Sequence, residues 1–279
     1  MNPVSDPISY GDAIILGIIQ GLTEFFPVSS DGHLVLGQHF LGFGKHNLMF
    51  DVLLHFGTLG AIILVFRQET GQLYSQTKAM FTGVLKGRWK MWEQPEQRAV
   101  LWIWITTFVT GLLGLIFEDQ VEETFSSVQA AGIGFLITST FLFLASYLGK
   151  GDKTPQNLTV WFPILIGVAQ AAALLPGVSR SGMTIATALI FGCRRFESGK
   201  YSFTAAIPII AMAVLYQARK LIGHDIADLP AILLGVAVSF LVGIAAIKGL
   251  MAMLTKFSLV PFAVYAFLLG VLTIGMTMG

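Results

Sequence analysis

The sequence has little charge and almost no cysteine. Only 12% of its 279 residues are Asp, Glu, Lys or Arg, against 54% apolar, and the mean hydropathy is +0.74. That balance excludes a soluble core and describes a polytopic helical membrane protein. The single cysteine, Cys193, excludes an internal disulfide and a Cys-rich metal site. With a net charge of +1 and no basic stripe interleaved with aromatics, the chain has no footprint for nucleic acid. The N-terminal MNPVSDPISYGD lacks the basic start of a cleaved leader, so the first apolar stretch is expected to stay in the mature protein.

Apolar sequence is abundant. Six stretches are long enough to span a bilayer, near 50–67, 99–117, 127–148, 203–221, 229–247 and 258–278. Two more apolar regions, 10–43 and 159–192, are interrupted by PVSSDG and PGVSRSG. Proline and glycine end helices and serines cap them, so each region reads as two short helices meeting at a turn, a re-entrant hairpin.

These two turns belong to a sentence written twice. GIIQGLTEFFPVSSDGH at 17–33 and GVAQAAALLPGVSRSGMT at 167–184 share Gly17/Gly167, Gln20/Gln170, Val28/Val178, Ser29/Ser179 and Gly32/Gly182 at an offset of 150. FDVLLHFGTL at 50–59 faces KYSFTAAIPI at 200–209 at the same offset. Phe108, Gly111, Phe125 and Ser126 then meet Phe240, Gly243, Phe257 and Ser258 at an offset of 132. The first half therefore carries 18 extra residues, expected around KGRWKMWEQPEQR. The expected architecture is one all-α membrane domain over 1–279, with repeat one at about 8–148 and repeat two at about 159–278. Each half is one hairpin plus three spans; three is odd, so the halves should be inverted, with a site near the midplane where the broken helices meet.

Loop charge sets the orientation. One face collects Arg67, Lys78, Lys86, Arg88, Lys90, Arg98, Lys150, Lys153, Arg194, Arg195, Lys200, Lys248 and Lys256; the other holds Lys45, Arg219 and Lys220 with the acidic Glu118, Asp119, Glu122 and Glu123. The richer face should be cytoplasmic. Both termini and the first hairpin then open to the outside, and the second hairpin enters from the cytoplasm to meet it.

The chemistry lies in the hairpins. Gln20 and Glu24 stand four apart on one helical face just ahead of the first turn. A lone carboxylate in an apolar helix must pair, protonate or hold a cation, and an ion pair with Arg180 is the structural reading of it. Arg180, flanked by Ser179 and Ser181 and followed by Thr184, offers a guanidinium fork, hydroxyls and helix N-terminal amides, which together suit a phosphate. His33 opens the helix after SSDG and, beside Ser29, Ser30, Glu24 and Arg180, reads as a group for proton transfer. The other histidines, His39, His46, His55 and His224, read as interfacial or packed. Trp89, Trp92, Trp102, Trp104 and Trp161 read as packing and interfacial anchors.

QGLTEFFPVSSDGH at 20–33 and PGVSRSGMT at 176–184 resemble the undecaprenyl-diphosphate phosphatases associated with bacitracin resistance, and the resemblance covers the chain in length, spacing and segment order. It implies hydrolysis of the polyprenyl diphosphate to undecaprenyl phosphate and inorganic phosphate in the bacterial inner membrane, recycling the carrier for peptidoglycan synthesis. It implies a site open to the periplasm, a divalent cation (magnesium, with calcium as second candidate) and a homodimer. Glu24, Ser30, His33 and Arg180 take catalytic roles by this resemblance, with Glu24 also a metal ligand; Gln20, Ser29, Ser179, Ser181 and Thr184 bind substrate. Gln20 stands where many members have glutamate, which removes one anionic ligand, and Asp31 is the candidate replacement.

For the nucleophile, Ser30 with His33 in proton transfer is the expectation; Glu24 as the activating base, His33 itself or an activated water are the alternatives. A second reading keeps the same site for a lipid-phosphate transporter, because inverted repeats with broken helices serve transport as well. A flippase needs the phosphate cradle but no positioned nucleophile, so Ser30 and His33 together favour hydrolysis.

Overall fold

The computed structural model describes residues 8–43, 48–87, 93–124, 126–220 and 228–278. Lys45, His46, Arg88, Trp89, Lys90, Trp92, Phe125 and His224 lie outside the described residues, as do the side chains of Glu122, Arg219 and Lys220. Among the described residues there are helices and no strands. The chain is an all-α polytopic membrane protein, as its composition requires.

The first apolar region forms α1 (Tyr10–Thr23) and α2 (Ser30–Phe40), broken over the turn that holds Pro27. Ser9 caps α1 by accepting from Asp12 N (3.1 Å), and the Asp12 carboxylate answers by accepting from Ser9 N (3.3 Å), a capping box. The second region repeats the plan as α8 (Trp161–Ala172) and α9 (Arg180–Ile190). The turns are capped alike: Ser29 Oγ accepts from Gly32 N (3.3 Å) and Ser179 Oγ from Gly182 N (3.0 Å). This is why the duplicated sentence keeps a serine and a glycine three apart.

The six expected spans are α3 (Leu48–Val65), α5 (Pro95–Ile116), α7 (Val128–Leu148), α10 (Arg195–Lys220), α11 (Leu229–Lys256) and α12 (Val260–Met278). Five are long and apolar enough to cross a membrane alone; α3 qualifies together with α4 (Arg67–Leu85), from which it is bent by 89°. Nothing in the hydropathy pattern announces α4. It lies just ahead of the KGRWKMWEQPEQR stretch, where the first half's extra residues are expected. A short α6 (Glu118–Thr124) carries the acidic loop.

Packing crosses between the halves. The first hairpin's α1 lies on α11, the second hairpin's α8 lies on α5, and α7 pairs with α12. Small residues allow these close crossings. A Cβ on Gly17 would sit 2.7 Å from the Gly235 carbonyl of α11, and one on Gly167 would sit 2.7 Å from Val109 of α5. Beneath the first turn, Phe25 is fully buried and meets the edge of Phe203 at 5.6 Å. The two turns thus arrive at one place in the interior.

Candidate active site

Glu24 is the centre of the site. It directly follows α1 and is buried, and its carboxylate gathers partners from four helices. Gln20 Nε2, one turn earlier, donates to Oε2 (3.1 Å), and Ser30 Oγ, at the start of α2, donates to the same oxygen (2.7 Å). Arg180, opening α9, donates from one terminal nitrogen to Oε1 in an ion pair between the halves. His55 Nε2, from α3, lies 3.3 Å from Oε2. The expected pairing of Glu24 with Arg180 therefore exists. It does not exhaust the arginine, because the other terminal nitrogen is buried without a hydrogen-bond partner among the described residues. The Gln20 carbonyl oxygen is likewise unpartnered. Unpaired polar groups at this depth cost free energy, and a site that binds a polar ligand is a physical reason for keeping them.

The remaining expected residues sit around this pair. Ser181 Oγ donates to the Phe26 carbonyl (3.2 Å), joining one turn to the other, and lies 3.2 Å from Ser179 Oγ. Ser179 is a cap, and its own amide donates to Thr138 Oγ1 (2.8 Å) of α7, which in turn donates to the Gly177 carbonyl (3.0 Å). Thr184 turns back to the Arg180 carbonyl (2.8 Å) and to Ser202 (2.6 Å) of α10. It braces the helix that holds the arginine.

Ser29 holds φ +69°, whereas its counterpart Ser179 is relaxed at φ −77°. A non-glycine residue there stores strain of order 1–3 kcal/mol, a feature that clusters at functional sites. Its carbonyl receives His33 Nδ1 at 2.6 Å. His33 Nε2 meets the Tyr265 hydroxyl of α12 at 2.8 Å, with the rings stacked. Both ring nitrogens are thus engaged, and the partner of the Ser30 hydroxyl is Glu24.

Three residues escaped the sequence reading. His55 is not packing, as expected, but a direct contact of Glu24 and of Asp31 (3.6 Å). Its signal was present, since an ionisable side chain inside a span is a functional candidate by default. Tyr265 and Thr138 gave no signal, Tyr265 being one of several aromatics on α12 and Thr138 one of several hydroxyl residues on α7.

Among the described residues no three His, Cys, Asp or Glu side chains converge to hold a metal ion. Both Glu24 oxygens already face nitrogen and hydroxyl donors, so the residues present do not form a resident divalent-cation site.

The sequence model of the family described as bacitracin resistance protein BacA matches residues 13–272. The chain is 37% identical over 263 residues to an undecaprenyl-diphosphatase of Methanobrevibacter smithii, covering 93% of this chain and 95% of that protein. It is 37% identical over 263 residues to the protein of the same name from Carboxydothermus hydrogenoformans, covering 93% and 94%. It is 35% identical over 261 residues to undecaprenyl-diphosphatase 1 of Pseudoalteromonas translucida, covering 93% and 96%.

Proposed function

The chain belongs to the bacitracin resistance protein BacA family, and from that premise we infer that it is an integral membrane undecaprenyl-diphosphatase. It is a hydrolase that uses one water to convert undecaprenyl diphosphate to undecaprenyl phosphate and inorganic phosphate. The observation that carries this reading, beside the names of the relatives, is the meeting of Glu24 and Ser30 from one hairpin with Arg180 from the other. None of these relatives is named as a transporter, and no contact at the site favours that alternative.

The chemistry proposed for these residues is a charge problem. The free nitrogen of Arg180 and the amides opening α9 are suited to the terminal phosphoryl oxygens, where charge must be held as the bond to the leaving oxygen breaks. Ser30 Oγ attacks the terminal phosphorus and its proton passes to Glu24 Oε2, to which it already donates. The P–O bond to undecaprenyl phosphate breaks, leaving a phosphoserine; water then attacks that phosphorus, Glu24 hands its proton back to Ser30 Oγ as the Ser–O–P bond breaks, and the water's protons leave with inorganic phosphate. His33, anchored by Ser29 and Tyr265, lies beside this path and would reach a departing or entering phosphate oxygen only by giving up its contact with Tyr265. Gln20, Ser29, Ser179, Ser181 and Thr184 hold the two turns and their helix starts against the diphosphate.

A divalent cation belongs to this proposal as an ion carried in on the diphosphate oxygens, since magnesium favours one or two carboxylates plus substrate phosphates over an all-protein cage. No step above depends on it. The inverted orientation of the halves is supported by the common order of hairpin and spans and by the matching caps. The charge of the loops supports cytoplasmic placement of the Arg194 and Lys200 face, with both termini and the site opening on the periplasmic side of the bacterial inner membrane. A homodimer is proposed from the family resemblance. The testing experiment is phosphate release from undecaprenyl diphosphate by the purified, detergent-solubilised protein beside Arg180→Ala. Multiple turnovers by the wild type and almost none by the variant support the reading; a folded wild type that binds the lipid without releasing phosphate overturns it.

A further inference from the structure

His55 has no part in the chemistry proposed for Ser30, Glu24 and Arg180, yet its ring is aimed with care. Nδ1 lies 2.8 Å from the Asp51 carbonyl, one turn back on α3, and because a carbonyl only accepts, this nitrogen must be the donor. The opposite edge then faces two further acceptors, Glu24 Oε2 at 3.3 Å and Asp31 Oδ1 at 3.6 Å. Those carboxylates stand on either side of the first turn, Glu24 after α1 and Asp31 in the first turn of α2. Like charges brought together in a low-dielectric interior repel strongly unless a donor stands between them. Among the described contacts, His55 touches both.

We propose that His55 is a positioning residue for phosphoryl transfer, its Nε2 edge donating to Glu24 and facing Asp31 at ion-pair distance so that the two carboxylates work as a pair. The proposal rests on the phosphatase reading. Glu24 Oε2 is thereby fixed toward the Ser30 hydroxyl, and Asp31 is kept turned inward as the site's second carboxylate. The pairing also gives Gln20 a sense. An amide at that position leaves Glu24 as the one anion at the turn end of the leading helix, Asp12 standing at its far end, and the second anion is drawn from across the turn.

The test compares His55→Gln with His55→Leu. A glutamine amide carries two hydrogens on one nitrogen and can serve both carboxylates, whereas leucine fills the space and donates nothing. With undecaprenyl diphosphate as substrate and Arg180→Ala as the inactive control, the leucine variant should lose about 100-fold in kcat with KM within roughly twofold, the pattern of an interaction that matters in the transition state. The glutamine variant should stay within about fivefold of the wild type. A leucine variant with wild-type kcat, or a glutamine variant that falls as far as leucine, overturns the proposal. A thermal-unfolding cycle of His55→Leu and Asp31→Asn reads the bridge separately, and strictly additive effects overturn it. A wild type that releases no phosphate sinks the phosphatase reading and the positioning role with it, while the thermal cycle still decides whether the bridge exists.

Discussion

Arg180→Lys isolates what the guanidinium fork does, because it keeps the positive charge while removing the second arm. In the protein one terminal nitrogen of Arg180 is committed to Glu24, and the other is buried and unpartnered, hence available to a phosphoryl oxygen. A lysine ammonium at the same place is a single point that can sit on Glu24 or on the phosphate, not on both in fixed geometry. Glu24 would keep a cation beside it, so the folded state should lose little. The transition state would lose one hydrogen bond between charged groups, about 1.5–3 kcal/mol, which lowers kcat/KM roughly 10- to 150-fold. Arg180→Ala should cost more in both respects, because among the described residues it leaves the buried carboxylate with His55 in place of a permanent cation, and breaking a buried pair costs about 3–5 kcal/mol. The assay is phosphate release at several substrate concentrations, with thermal unfolding in the same detergent. A lysine variant within threefold of wild-type kcat/KM would refute the division of labour between the two nitrogens.

Ser30→Ala should abolish the single-turnover burst of phosphoenzyme seen on rapid quench with labelled substrate; a normal burst would remove Ser30 as the nucleophile. Ser29→Gly should raise thermal stability, because release of the strain at φ +69° (about 1–3 kcal/mol) exceeds the few tenths lost on exchanging a serine cap for glycine. Ser29→Ala keeps the strain and loses the cap, so its melting temperature should fall. Gly134→Ala would drive a Cβ to within 2.7 Å of the Val178 amide and 2.6 Å of the Gly177 carbonyl carbon, both backbone, and should destabilise by about 1–3 kcal/mol with loss of activity from the displaced second turn. Burial, with Glu197 nearby, pushes the Cys193 thiol up to about 12, so it stays protonated through pH 9. Iodoacetamide should leave the folded protein unmodified at pH 8–9, and rapid labelling there would contradict this.

The hairpins and spans were legible because their signals are local. Pro27 and Gly177 break apolar runs, Ser29 and Ser179 cap the helices that open after them, and each long run became one helix. The pairing of Glu24 with Arg180 was legible because an isolated carboxylate and an isolated guanidinium in apolar sequence have few alternatives to each other. The route of the second proton group was not. Sequence alone assigns His33 to Ser30, but whether it turns to Ser30 or to Tyr265 depends on how α12 docks, 232 residues along the chain. His55 was hidden for a similar reason, since only the packing of α3 against α1 brings it to the turn. α4 was missed because its composition is near neutral in hydropathy, with Tyr74, Phe81 and Leu85 exposed and Leu73 buried, so neither a span nor a loop pattern stands out.

The exchange of hairpins between halves bears on how the protein is made. The helix that receives α1 starts at Leu229, more than 200 residues after the chain has begun, and Glu24 meets its arginine 156 residues after its own synthesis. At roughly 5–20 residues per second, the leading hairpin waits about 10 to 45 s for α11. Glu24 is without its arginine for the first 156 residues of that interval, and Asp31 adds a second carboxylate to the same turn, which makes a segment that lipid rejects. The first hairpin must therefore be held at the aqueous rim, or shielded by the insertion machinery, and admitted to the bilayer late. A truncated chain ending before residue 180, which lacks both Arg180 and α11, should leave Glu24 open to water-soluble carboxylate reagents, and the complete chain should not.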